Sequence, residues 1–140
     1  MKTYLDASAV VSMFTIDVHS NRARTWLDAE RRDLSLSDWS LAEFSSAIAL
    51  GVRVGRLSET DRHGAEALLG AWLGSNARVD AVQADDIRVA RSLIGATQLP
   101  LRASDALHLA IAKRLGHTIA TFDVGMARAA ADLGLALETI

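Results

Sequence analysis

Four acidic residues have the type and spacing to do chemistry together: Asp6, Glu43, Asp105 and Asp123. Asp6 ends the first predicted strand and Asp123 ends the fourth, whereas Asp105 opens the most apolar helix of the chain. Glu43 lies one turn into a helix predicted from Leu41. In an open parallel sheet the carboxyl ends of the strands lie along one edge, and ligand sites form there. We therefore expect the four carboxylates to meet in one crevice, without a basic residue among them.

Each acid also has a purely structural explanation. Asp6 and Asp123 suit the N-cap position of the helices that follow them. Asp105 suits a first helical turn behind Ser104 as the cap, and residues 40–43 fit a capping box. These explanations weaken when they are taken together, because four carboxylates in one crevice would repel each other unless a cation neutralised them.

The ligand chemistry of such a crevice indicates the kind of cation. The chain has no cysteine, and its four histidines lack ligand spacing. Oxygen ligands without thiolate or paired imidazole suit Mg²⁺ or Mn²⁺ rather than Zn²⁺. The residues beside the acids are small and leave room for a phosphate: Ala7, Ser8, Ala42, Ala103, Ser104 and Ala106.

Composition limits the class of protein. A chain of 140 residues has the length of one domain and can close its own core, which must be aliphatic because only seven residues are aromatic. No segment approaches the roughly 18 apolar residues of a membrane span, so we expect a cytoplasmic protein. The net charge of −2 argues against adhesion to nucleic acid by bulk charge. Thirteen of the fifteen basic residues are Arg, which suits bidentate phosphate contacts, although genome base composition also explains that usage.

The elements that must position the acids alternate along the chain. Short β-type runs are predicted at residues 3–5, 34–36, 78–82, 118–122 and 135–137. Helical patterns are predicted at residues 7–14, 20–30, 41–52, 84–94, 106–115 and 124–133. A further helix begins at Ser58 with Asp61 as its capping-box partner, and Gly134 is expected to stop the last helix. The sum is one domain over residues 1–140, a three-layer α/β/α sandwich with a central, mostly parallel open sheet.

Four segments carry a resemblance to a known family. They are Tyr4-Leu5-Asp6-Ala7-Ser8-Ala9, Leu41-Ala42-Glu43-Phe44, Ala103-Ser104-Asp105-Ala106-Leu107-His108-Leu109-Ala110 and Thr121-Phe122-Asp123. In their order and spacing, over nearly the whole chain, they resemble a PIN domain, specifically the VapC-type toxin ribonucleases of type II toxin–antitoxin systems. One departure is Met126, which stands where some relatives have a further acid.

The resemblance implies a metal-dependent endoribonuclease. It assigns Asp6, Glu43, Asp105 and Asp123 to the acidic quartet that binds Mg²⁺, with Mn²⁺ as a substitute, and Ser8 and Thr121 to supporting hydroxyls. Asp6, Asp105 and Asp123 would hold the first ion, while Glu43 would hold a second ion or act as general base. The implied partners are an RNA substrate, a cognate antitoxin protein and a second copy of the chain in a homodimer.

Other residues invite functional interpretations. His108 shares a helix face with Asp105, but a packed, hydrogen-bonded histidine is the expected reading. The three tryptophans, Trp26, Trp39 and Trp72, are expected to brace the core or an interface rather than stack on bases. Asp85 and Asp86 are explained by the helix dipole. The candidates for RNA phosphate contacts are Arg31, Arg32, Arg53 and Arg56.

Two rival functions stay open from the sequence. The first is a non-catalytic PIN-like module that binds RNA or a protein without cutting. The second is a phosphatase of haloacid-dehalogenase type, which also begins with an aspartate at the end of the first strand. That chemistry needs a second aspartate two residues later, where this chain has Ser8.

Overall fold

The computed structural model describes residues 1–29, 33–138 and 140. Within them, five strands form one parallel sheet in the order β3-β2-β1-β4-β5. The strands are β1 (Lys2–Leu5), β2 (Asp33–Ser37), β3 (Ala77–Asp80), β4 (Thr118–Ala120) and β5 (Leu137–Glu138). The order reverses at β1, which lies between β2 and β4. A crevice for a ligand is therefore expected beyond the carboxyl ends of β1 and β4.

Helices cover both faces of the sheet. The described helices are α1 (Ala7–Phe14), α2 (Ser20–Ala29), α3 (Asp38–Arg53), α4 (Glu59–Asn76), α5 (Ala84–Ala96), α6 (Ala103–Leu115) and α7 (Val124–Asp132). Successive residues of a strand point to opposite faces. Leu5 accordingly packs with α1 to α4, whereas Tyr4 packs with α5 to α7. The predicted three-layer α/β/α sandwich is confirmed.

The core is aliphatic on both faces, as the composition indicates. Residues 106–112 of α6 are all buried, which agrees with the apolar pattern of that helix. Trp26 is buried in the core beneath α1 to α4, and Trp72 packs edge-on against Phe14 with 5.4 Å between ring centroids. Trp39 packs against the other core. These contacts confirm the expected structural role of the tryptophans.

The start of α3 differs from the prediction. The helix begins at Asp38, directly after β2, and its N-cap is Ser37. Ser37 and Ser40 form the capping box, in which each side chain accepts a hydrogen bond from the other residue's backbone N–H. The capping box predicted at residues 40–43 is therefore wrong. The strand continues into the helix without a loop, so Glu43 lies in the second turn.

The start of α6 also differs. The helix begins at Ala103, which places Ser104 inside the first turn rather than at the cap. Arg102 occupies the N-cap position, and its side chain makes no capping hydrogen bond. The pattern located the apolar stretch of the helix but missed its first three residues, because they are small or polar.

Other boundaries shift by a few residues. β3 ends at Asp80 and β4 at Ala120, both two residues earlier than predicted, and the predicted end of the helix over 20–30 lies outside the described residues. The capping box of Ser58 and Asp61 is confirmed, as is the stop at Gly134, whose φ is +69°. None of the helices described is long and apolar enough to cross a membrane.

Candidate active site

Asp6 follows β1 directly and is the N-cap of α1, where its Oδ1 accepts a 3.0 Å hydrogen bond from the N–H of Ala9. Two hydroxyls also bind the carboxylate. The Ser8 hydroxyl lies 2.8 and 2.9 Å from its two oxygens, and the Thr121 hydroxyl donates to Oδ2 at 2.7 Å. Both hydroxyls that the resemblance singled out thus contact Asp6.

The environment of Asp6 disfavours its negative charge. Its exposed fraction is 4%, and this burial raises the pKa of the carboxyl above its ordinary value. The electrostatic interaction with His108 and the hydrogen bonds from Ala9, Thr121 and Ser8 act in the opposite direction without offsetting the burial. A cation beside Asp6 would favour its ionised form.

Asp123 is the N-cap of α7, three residues beyond β4. Its Oδ1 accepts a 2.8 Å hydrogen bond from the N–H of Met126, a buried core residue. Its own N–H donates to the Thr121 hydroxyl at 2.9 Å. Since Thr121 also donates to Asp6, one hydroxyl links the backbone of the second acid to the carboxylate of the first.

Asp105 lies in the first turn of α6 and contacts a basic residue, contrary to expectation. The Nε of Arg102 is 2.8 Å from Asp105 Oδ2, and its Nη2 is 3.3 Å from Oδ1. The same Nη2 is 3.3 Å from Asp123 Oδ2. Asp105 above all raises the pKa of Arg102 above its ordinary value. The sequence signal for this contact was the spacing of three residues between Arg102 and Asp105, because side chains three residues apart come together on a helix.

Glu43 reaches the site from α3 and is held by a histidine. Its Oε2 lies 2.5 Å from His108 Nε2, and His108 Nδ1 lies 2.8 Å from the Tyr4 hydroxyl. That hydroxyl also lies within 2.7 Å of Ser37 Oγ and 3.2 Å of Ser40 Oγ. A neutral His108 that donates to the carboxylate accepts at Nδ1 from Tyr4. His108 is packed and hydrogen-bonded as expected, but its partner is one of the four acids.

The four acids line one open cavity of about 530 Å³, together with Ser8, His108 and Arg102. Among the described residues, however, no three acidic or histidine side chains are grouped as they would be around a metal ion. Each carboxylate instead contacts a donor of the protein. The donor set of carboxylates and hydroxyls fits a hard divalent cation in its chemistry. The guanidinium of Arg102 contacts both Asp105 and Asp123.

The remaining candidates lie elsewhere. Asp85 and Asp86 are in the first turn of α5 as expected, and Asp86 binds Arg114. Arg53 and Arg56 are exposed near the end of α3, whereas residues 31 and 32 lie outside the described residues.

A protein-family model identifies the class to which this fold and cavity belong. The PIN domain model matches residues 3–132, which include all four acids. The chain belongs to the PIN domain family. No curated protein sequence matches it significantly.

Solved structures share the fold at low sequence identity. The sarcin–ricin-loop-cleaving toxin VapC20 of Mycobacterium tuberculosis matches with a TM-score of 0.72 and 18% identity, over 91% of this chain and 94% of that one. VapBC2 of Rickettsia felis, solved bound to a DNA fragment from its promoter, matches with a TM-score of 0.69 and 18% identity, over 99% of this chain and 98% of that one. A toxin–antitoxin complex from Klebsiella pneumoniae matches with a TM-score of 0.62 and 16% identity, over 86% of each chain.

Proposed function

We propose that this protein is a metal-dependent endoribonuclease that uses Mg²⁺, with Mn²⁺ as a substitute, and serves as the toxin of a toxin–antitoxin pair. The observation that carries the proposal is the convergence of Asp6, Glu43, Asp105 and Asp123 on one cavity in a PIN domain chain. The cavity lies beyond the carboxyl ends of β1 and β4, at the reversal of strand order.

The side chains have distinct proposed roles. Asp6, Asp105 and Asp123 hold the cation, and Ser8 and Thr121 orient Asp6 through their hydroxyls. When bound, the cation supplies charge neutralisation at the scissile phosphate and lowers the pKa of a bound water. Hydrolysis by water leaves a 5′-phosphate and a 3′-hydroxyl.

Glu43 suits the role of general base. His108 binds its Oε2, while its Oε1 receives no hydrogen bond from a described residue. That oxygen is free to accept a proton from water in the cavity. A second ion at Glu43 is the other role that its carboxylate supports.

The proposed partners are an RNA substrate, a cognate antitoxin and a second copy of the chain. One neighbour is described as a toxin that cleaves the sarcin–ricin loop and another as a toxin–antitoxin complex. We extend both descriptions to this chain as an RNA substrate and a cognate antitoxin, with a homodimer as the working assembly. Arg53 and Arg56 are the proposed contacts to RNA phosphates.

A non-catalytic PIN module is the second candidate function. It is favoured by the contacts of Arg102, because a guanidinium that permanently neutralised Asp105 and Asp123 would leave no site for a metal. The phosphatase reading has no such support, since Ser8 binds Asp6 in place of a second aspartate.

Expression in bacteria tests the proposal. Wild-type protein is expected to arrest growth and to leave RNA fragments with 5′-phosphates, whereas Asp105→Ala is expected to do neither at equal abundance, because it removes one of the proposed ligands. The matched control is Asp85→Ala, which removes a first-turn acid that pairs with Arg88 on α5 instead. Arrest by Asp105→Ala at wild-type strength would show that catalysis is not the cause.

A further inference from the structure

Arg102 is the one basic side chain, among the described residues that line the cavity, whose contacts join two of the four acids. We propose that Arg102 is a built-in counterion, which holds Asp105 and Asp123 in the metal-free protein and must leave them before a divalent cation binds. The proposal rests on the proposed function, because it concerns the regulation of the same site.

The contacts of Arg102 compete directly with metal ligation. Its Nε and Nη2 donate hydrogen bonds to the two oxygens of Asp105, and Nη2 also donates to Oδ2 of Asp123. The remaining oxygen of Asp123 accepts the N–H of Met126. All four oxygens of these two carboxylates are therefore engaged by donors of the protein. A divalent cation that binds these oxygens must replace the guanidinium, because the two positive charges would repel each other if both contacted the same carboxylates.

The counterion is able to leave. The exposed fraction of the Arg102 side chain is 74%, and within the described part of the chain its guanidinium hydrogen-bonds only to Asp105 and Asp123. Release into water breaks no buried contact, and exposed ion pairs of this kind are weak. Rotation of the Arg102 side chain alone is sufficient to release the oxygens of Asp105 and Asp123 from the guanidinium.

Helix stability does not explain this arginine. Arg102 holds the N-cap position of α6, where the helix dipole favours negative charge, and its side chain makes no capping hydrogen bond. The backbone position nonetheless places it one helical turn from Asp105. The acid pair is therefore the interaction that accounts for a positive charge here.

Titration of the full chain with Mn²⁺, followed by electron paramagnetic resonance of the free ion, tests the proposal. Arg102→Gln removes the charge and is expected to bind Mn²⁺ about three- to tenfold more tightly than wild type, as loss of two exposed ion pairs implies. Arg102→Lys keeps the charge without the fork and is expected to lie between them. The control Arg88→Gln removes an exposed arginine that pairs with Asp85 and is expected to match wild type.

A double variant assigns the effect to the acid pair. In an Asp105→Asn background, removal of Arg102 is expected to tighten Mn²⁺ binding by a smaller factor than in the wild-type background, because only the contact with Asp123 is left to remove. Unchanged or weaker binding by Arg102→Gln, with wild type binding normally, would overturn the counterion proposal and leave the metal site intact. No Mn²⁺ binding by wild type or any variant would instead overturn the metal site itself. Thermal melting without metal establishes that each variant is folded.

Discussion

His108 connects the site to the interior of the sheet. It binds Glu43 through Nε2 and Tyr4 through Nδ1, and Tyr4 in turn contacts Ser37 and Ser40. The ring is fixed from both sides, because buried polar groups in a network hold each other in one geometry. We infer that His108 is a positioning residue for Glu43.

His108→Phe tests this role. It fills similar space but removes both hydrogen bonds, so kcat for RNA cleavage is expected to fall roughly ten- to a hundredfold with KM little changed. The matched control is Tyr4→Phe, which leaves the bond between His108 and Glu43 intact and is expected to lower kcat much less. An unchanged kcat in folded His108→Phe would contradict the role.

At the scale of elements, the two N-cap aspartates serve the helices and the cavity at once. Asp123 accepts the N–H of Met126 at the start of α7 and also lines the cavity. Structural and catalytic explanations of this acid are therefore compatible. They are separable, because capping needs an acceptor oxygen whereas binding a cation needs a charge.

Substitution of Asp123 by two residues separates the explanations. Asp123→Asn keeps a capping oxygen and is expected to change the free energy of unfolding by a few tenths of a kcal/mol, whereas Asp123→Ala is expected to lose about 1 kcal/mol. Both are expected to lose RNA cleavage. Chemical denaturation and a cleavage assay measure the two effects. Full cleavage by Asp123→Asn would leave Asp123 as a cap alone.

An ion pair away from the cavity joins α5 to α6. Arg114 binds the buried carboxylate of Asp86 at 2.7 and 3.0 Å. Burial raises the pKa of Asp86, but the hydrogen bonds from Arg114 and from the N–H of Gln83 outweigh it, so the pKa lies below its ordinary value. The pair therefore stabilises the fold above the ordinary pKa of aspartate, about 4, and this contribution is lost as pH falls through the lower folded pKa.

Asp86→Asn is expected to lower the free energy of unfolding at pH 7 by on the order of 2 kcal/mol, less than for a fully buried pair because Arg114 is partly exposed. The difference from wild type is expected to shrink as pH falls below about 4 towards the lower folded pKa of Asp86, because the unfolded wild-type chain binds the proton first. Urea denaturation across this pH range measures it. A difference that is constant with pH would show that charge is not the source.

At the scale of the molecule, apolar side chains remain exposed near the arginines at the end of α3. The exposed fractions are 45% for Leu50 and 57% for Val54, and Arg53 and Arg56 lie beside them. An apolar patch with a basic rim suits an interface between two copies, which are most often related by a twofold axis.

Light scattering at micromolar concentration is expected to give about twice the chain mass of 15.0 kDa. Val54→Glu is expected to give the monomer mass, because it places a charge in the apolar patch. The control is Val18→Glu, at a more exposed position before α2. Full activity of wild-type protein that scatters as a monomer would show that the dimer is not needed.

The sequence by itself determined the layered fold and the four acids. The apolar period of a strand or helix is a local property, so β1, α1 and α6 were recognisable from their own residues. The convergence of Asp6, Asp105 and Asp123 also followed, because parallel strands bring their carboxyl ends to one edge. Glu43 was expected at the same edge as an early acid of its helix, and the resemblance added the metal-binding role of the four acids.

Only the tertiary structure decided the partner of Glu43 and the place of Arg102 between two of the acids. The bond from Glu43 to His108 spans 65 residues and that from His108 to Tyr4 spans 104, so no local pattern contains them. The place of Arg102 between Asp105 and Asp123 depends on where α6 begins relative to α7. Such contacts are set by the packing of helices across the sheet, because a shift of one residue in a helix start turns a side chain by about 100°.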